Sequence, residues 1–176
     1  MIQTKEKAMT PRFPLLAVAA ACATAAASTV PKNLEVPSNQ QLVLRLAARG
    51  TQNYTCQQKA EAFEWSFAGP EADLFDERGE LAGRHGSGPS WQLNDGSKVV
   101  GAVKEKAQVQ GSIPWLLLEV KSREGQGTLS GVASVQRLDT AGGAPPASGC
   151  DAGHAGETVK VAYTANYVFY GTPAPR

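Results

Sequence analysis

Val159-Lys160-Val161-Ala162-Tyr163-Thr164-Ala165-Asn166-Tyr167-Val168-Phe169 is the stretch that decides the fold class. Val159, Val161, Tyr163, Ala165, Tyr167 and Phe169 fall on one side of a period-two pattern, and Lys160, Ala162, Thr164 and Asn166 on the other. Successive side chains of an extended chain point to opposite faces, so this alternation predicts a long, half-buried strand. Its β-branched and aromatic content fits a pleated surface.

The same reading extends outward along the chain. Leu42, Leu44 and Leu46 alternate with Val43, Arg45 and Ala47, and Phe63, Trp65 and Phe67 alternate with Glu64 and Ser66. Trp115-Leu116-Leu117-Leu118 is apolar on both faces and reads as a central strand. Residues 98–104 and 132–138 are further strand candidates. Gly69-Pro70, Arg78-Gly79, Gly86-Ser87-Gly88-Pro89, Asn94-Asp95-Gly96, Glu124-Gly125 and Gly142-Gly143 punctuate the chain at short intervals and leave little room for helices. Short helical turns fit only at residues 59–63 and 70–74. Residues 139–157, rich in Gly, Ala and Pro, read as a long loop. The expectation is one all-β domain, an antiparallel β-sandwich or barrel with long loops, over residues 41–176. Residues 29–40, with Pro31 and Pro37, form an extended lead-in to it.

The first 28 residues differ in kind. Lys5, Lys7 and Arg12 give a positive start, residues 13–26 are an apolar run, and Ala25-Ala26-Ala27-Ser28 supplies small residues. That is the layout of a cleaved signal peptide, with the mature chain starting near Thr29. The apolar run is shorter than the roughly 20 residues of a transmembrane helix. A second processing route is lipid anchoring at Cys22, after Ala19-Ala20-Ala21; a lipobox normally opens with Leu, and Ala19 stands there. The expected location is secreted or periplasmic.

Loss of Lys5, Lys7, Arg12 and Glu6 with the leader moves the net charge from +1 to −1. A near-neutral domain has no basic surplus for phosphates, so nucleic acid is not an expected partner. The mature chain keeps two cysteines, Cys56 and Cys150. An even count in an exported chain reads as a disulfide.

The densest set of polar groups lies in residues 84–97, read as a loop. Arg84, His85, Trp91 and Asp95 sit there in a Gly/Pro-rich frame and form the candidate ligand-binding set. His85 suits a general base, a metal ligand or a hydrogen-bond donor, Trp91 a stacking face, and Asp95 an orienting carboxylate. The plainer reading makes Trp91 core, Asp95-Gly96 a hairpin turn, and His85 a ring bonded to nearby backbone. A catalytic set is not assembled: no Gly-x-Ser-x-Gly elbow surrounds Ser87, and Glu71 and Asp76 read as solvated turn carboxylates. No metal is expected, since His85 and His154 are the only histidines and the cysteines are paired. No cofactor is expected either. Asn53-Tyr54-Thr55 is a formal glycosylation sequon.

Several pieces together resemble a known family, the domain of unknown function numbered 3455, found in exported bacterial and fungal proteins. They are Gly50-Thr51-Gln52-Asn53-Tyr54-Thr55-Cys56, Trp65, Pro70-Glu71-Ala72-Asp73-Leu74-Phe75-Asp76, His85-Gly86-Ser87-Gly88-Pro89-Ser90-Trp91 and Asp95-Gly96-Ser97. Further on come Ile113-Pro114-Trp115-Leu116-Leu117-Leu118, Gln136-Arg137, Thr140-Ala141-Gly142-Gly143, Cys150-Asp151, Tyr163-Thr164-Ala165-Asn166-Tyr167 and Phe169-Tyr170. The resemblance spans roughly residues 42–171 and implies no activity. A malate dehydrogenase label attached to some fungal members does not transfer. Gly125-x-Gly127 is followed by Ser130, without the strand–turn–helix that dinucleotide binding needs.

Two functional expectations remain. The first is a non-catalytic domain binding a small molecule, a glycan or an envelope protein. The alternative is a hydrolase-type enzyme using His85 with an acidic partner.

Overall fold

The computed structural model describes residues 29–171. The leader read over residues 1–28, Cys22 included, lies outside them, as do residues 172–176.

A sheet of half-buried strands has two edges whose backbone groups need partners. Here the edges bond to each other. The strands are β1 (Gln41–Lys59), β2 (Ala62–Phe75), β3 (Leu81–Gly86), β4 (Ser90–Leu93), β5 (Lys98–Ala107), β6 (Trp115–Glu124), β7 (Val132–Gly142) and β8 (Thr158–Gly171). Each pairs antiparallel with the next in chain order, and β8 pairs back on β1 to close the barrel. That seam is long, running from Gln41 opposite Gly171 to Thr55 opposite Thr158. Of the two architectures expected, the barrel is the one formed.

Strand direction gives the barrel two different ends. The upper end carries the connections β1–β2, β3–β4, β5–β6 and β7–β8; the lower end carries the other three. Toward the lower end the interior is filled by Leu46, Leu74, Leu93, Val99, Val120, Leu129, Val132, Val135 and Phe169. The inward row of β8 is Tyr163, Ala165, Tyr167 and Phe169, the face its alternation assigns.

The doubly apolar run in β6 has a cause on each side. Leu116 and Leu118 face the interior, while Leu117 packs outside against Leu34, Leu138 and Val168. Leu34 ends a short 3-10 turn, Lys32–Leu34, that straps the lead-in across the outer face. The strap is pinned by Asn33 Nδ2 donating to the Lys106 carbonyl at 3.1 Å and Gln136 Nε2 donating to the Leu34 carbonyl at 2.6 Å.

At the upper end the β7–β8 loop is tied down by the Cys56–Cys150 disulfide, whose Cα atoms are 5.3 Å apart. Trp65 Nε1 also donates to the Ser148 carbonyl, at 3.0 Å.

Some details depart from the expectation. Leu42 is 47% exposed, because a register shift between Leu42 and Leu44 takes it out of the inward row. A second shift, opposite Asn53/Tyr54, skips Ala68 and changes the inward positions of β2 from odd to even. Residues 70–74, offered as a helical turn, are strand, as is most of 59–63. β7 runs on to Gly142, which shortens the long loop. Residues 84–97 are the end of β3, a hairpin turn, β4 and a second turn, so half of the expected loop is ladder. Among the described residues no helix is long and apolar enough to cross a membrane.

Candidate functional site

The upper half of the barrel is hollow. A cavity of about 430 Å³ opens there. His85, Trp91 and Tyr167, all buried, form its deep part, and Gln52, Leu116, Leu118 and Arg137 line its walls. Phe67, Val103 and Lys106 lie at the exposed rim. An eight-stranded barrel is just wide enough either to be filled by side chains or to hold one small ligand. Trp91 decides between these along its length. The indole has room to lie across the barrel because β5 carries Gly101 beside its ring, where an added Cβ would sit 3.2 Å away. Trp91 packs edge-on against Phe169 below, at 6.0 Å, and against Tyr167, at 5.4 Å.

His85 and Trp91 are brought together. They are opposite one another across the β3–β4 ladder, and their rings stack at 4.9 Å with planes 15° apart. His85 also touches Tyr167, at 4.8 Å between centroids. Its Nδ1 lies 2.8 Å from the Ser90 carbonyl. A carbonyl only accepts, so Nδ1 carries the proton and Nε2 is left with its lone pair. Burial pulls the pKa down to about 4; the Ser90 carbonyl opposes this and the Arg137 charge adds to it. At neutral pH the ring is uncharged and a weak base.

Arg84 and Asp95 lie elsewhere. Arg84 follows the strand alternation to the outer face, where Nη1 is 3.5 Å from Asp73 Oδ1 and the side chain is exposed. Asp95 sits in the β4–β5 turn at the lower end. Its carboxylate accepts from Ser97 N at 2.9 Å, Ser97 Oγ at 2.6 Å and Thr128 N at 2.8 Å. Ser97 Oγ in turn accepts from Leu129 N at 3.2 Å. Partial burial alone would raise the Asp95 pKa, but the Ser97 and Thr128 bonds hold it well below the usual carboxylate range. Asp95 thereby latches the β6–β7 loop under the barrel.

The other polar candidates are dispersed. Glu71 pairs with Lys160 on the outer face at 2.7 Å, and Asp76 accepts from the backbone of Arg78 and Glu80 in the β2–β3 turn. His154 Nδ1 is 2.8 Å from Asp151 Oδ1 on the exposed β7–β8 loop.

The sequence reading missed Arg137 and Gln52. Arg137 shares the inward row of β7 with Val135 and stands opposite Tyr167. Its side chain is buried, and both Nε and Nη2 donate to the Pro114 carbonyl, at 3.1 and 2.9 Å. Burial raises the pKa values of Tyr54, Tyr163 and Tyr167 and lowers that of His85; the guanidinium charge opposes the first three shifts and adds to the last. Gln52, also buried, holds its inward place on β1, where Nε2 has only a weak approach to the Tyr163 hydroxyl. The available signal was positional: both are polar residues at inward places of otherwise apolar alternation.

Fold and cavity together define a closed, antiparallel, eight-stranded barrel with a chamber open at one end. Residues 37–171 match the family described as protein of unknown function (DUF3455), and the chain belongs to that family. No curated protein and no solved structure matches the chain.

Proposed function

We propose that this is an exported, non-catalytic binding protein that holds one small, largely apolar molecule inside its barrel. The observation that carries the reading is the cavity itself. Its volume of about 430 Å³ falls within the size of small-molecule sites, about 300–1,000 Å³. Its access is rimmed by Phe67 and Val103, which are 58% and 53% exposed and give the opening an apolar edge. Export rests on the leader and is supported by the disulfide, which persists in oxidising compartments.

The rival reading, a hydrolase built on His85, is less well supported. His85 spends its Nδ1 on a backbone carbonyl and hydrogen-bonds to no described carboxylate. Burial makes it a poor base at neutral pH. A glycan site is also less well supported, because Trp91 has no exposed face for a sugar to stack on.

The test is a titration with the neutral probe N-phenyl-1-naphthylamine, whose fluorescence rises in apolar surroundings. Saturable binding at one site per chain, weakened by Val103→Arg at the rim, is expected. Absence of binding at concentrations up to the probe's solubility limit rejects the reading.

A further inference from the structure

Arg137 is a cation in an unusual position. A guanidinium has five N–H donors, and taking its charge out of water is costly unless an opposite charge meets it. Here two of its nitrogens bond to one neutral carbonyl, that of Pro114. No ion pair among the described residues includes Arg137. Its other neighbours are uncharged: the Tyr167 hydroxyl is within its reach as a neutral acceptor and lies 3.4 Å from the Tyr163 hydroxyl, and His85 is neutral.

The cavity as a whole repeats this imbalance. Among the described residues its lining contains two cationic side chains, Arg137 inside and Lys106 at the rim, and no Asp or Glu. Of two further donors in its wall, Trp91 Nε1 is buried without an acceptor and Gln52 Nε2 has only a weak approach to the Tyr163 hydroxyl. Buried polar groups are almost always satisfied, so a wall with a surplus of donors and positive charge points to an absent acceptor of negative charge.

We infer that the molecule held in the barrel is a small organic acid, its apolar body against Leu116, Phe67 and Val103 and its carboxylate paired with Arg137. The planar fork of a guanidinium matches a carboxylate in two parallel hydrogen bonds, and the low-polarity wall strengthens the pair. Lys106 at the rim lies where it draws the acid toward the opening. This rests on the container reading above and adds the chemical class of the ligand to it.

The test compares isosteric acid and amide pairs, 4-phenylbutanoate with 4-phenylbutanamide and octanoate with octanamide, by calorimetry on the folded protein. The acid of at least one pair is expected to bind about tenfold or more tightly than its amide, the difference a charge-assisted hydrogen bond supplies. Arg137→Gln should bring the acid to the amide's level, and Arg137→Lys should keep part of the preference. If Arg137→Gln does not fold, the wild-type pairs and Arg137→Lys decide. Equal binding of acid and amide overturns the inference, as does an acid preference that survives in Arg137→Gln. If N-phenyl-1-naphthylamine binds but no acid is preferred, the container stands and the acid does not. If neither the neutral probe nor any pair binds, both fall.

Discussion

His85 lies flat on Trp91, with ring centroids 4.9 Å apart and planes 15° from parallel. This pair divides the barrel. Below it the interior is packed; above it the interior is hollow. The one histidine that lines the cavity is therefore a structural part of its floor. Its neutral ring leaves Arg137, among the described residues, as the one buried charge there.

Stability should carry the mark of that histidine in its pH dependence. The folded ring has a pKa of about 4, against 6.5 for an ordinary histidine. Between those values the unfolded chain takes up a proton that the folded chain refuses. The stabilisation is complete above the unfolded value and is lost as the pH falls from 6.5 to 4, by about 3 kcal/mol in all. Urea unfolding at stepped pH measures it. His85→Phe should flatten this part of the profile; an unchanged slope in that variant would show that another group is responsible.

Removing the His85 ring altogether leaves the Ser90 carbonyl and the Trp91 face without a partner. His85→Ala is expected to cost about 1–3 kcal/mol through the lost hydrogen bond, with some further loss of packing. A variant as stable as the wild type would mean the ring is not held as described.

Asp95 should matter to the floor of the molecule and not to its cavity. Asp95→Ala removes the acceptor for Ser97 and Thr128 and should destabilise by about 1–3 kcal/mol, toward the lower figure because the carboxylate is partly solvated. Affinity for N-phenyl-1-naphthylamine should stay within twofold. A large loss of affinity in a folded Asp95→Ala protein would place this residue in the binding machinery.

The disulfide joins residues 94 apart, so its loss releases a long loop. Cys56→Ser with Cys150→Ser should lower stability by about 2–4 kcal/mol, below the loop-entropy limit of about 4.7 kcal/mol. Hydrogen exchange should quicken mainly in the β7–β8 loop that Trp65 and the disulfide hold. Faster exchange spread evenly around the barrel would contradict that local role.

The elements legible in the sequence are those whose burial is one-sided over many residues. β8 shows its inward row from Tyr163 to Phe169 directly, and β6 shows by its apolar outer face that something must cover it. The covering residue, Leu34, was not legible, because one leucine in a polar lead-in carries no periodicity. β3 and β4 were hidden for a related reason. They span six and four residues, and Gly83, Gly86 and Arg84 blur the alternation of His85, Trp91 and Leu93. Closure into a barrel depends on β1 meeting β8, a pairing across more than a hundred residues that no local pattern encodes. The cavity was illegible for a deeper reason: it is a volume left unfilled between residues from all eight strands. Arg137 shows this best. In the sequence it interrupts an apolar run; in the barrel it sits in the wall of the chamber.

The container itself is tested most directly by a methyl NMR titration with N-phenyl-1-naphthylamine. Ile113, Leu116 and Leu118 line the chamber, while Leu34, Leu117 and Val168 pack together on the outer face of the barrel. Saturable shifts at the first three, with the last three still, are expected. Shifts confined to the outer three, or no shift at Ile113, Leu116 and Leu118 while the probe remains in solution, would contradict a barrel that holds its ligand inside.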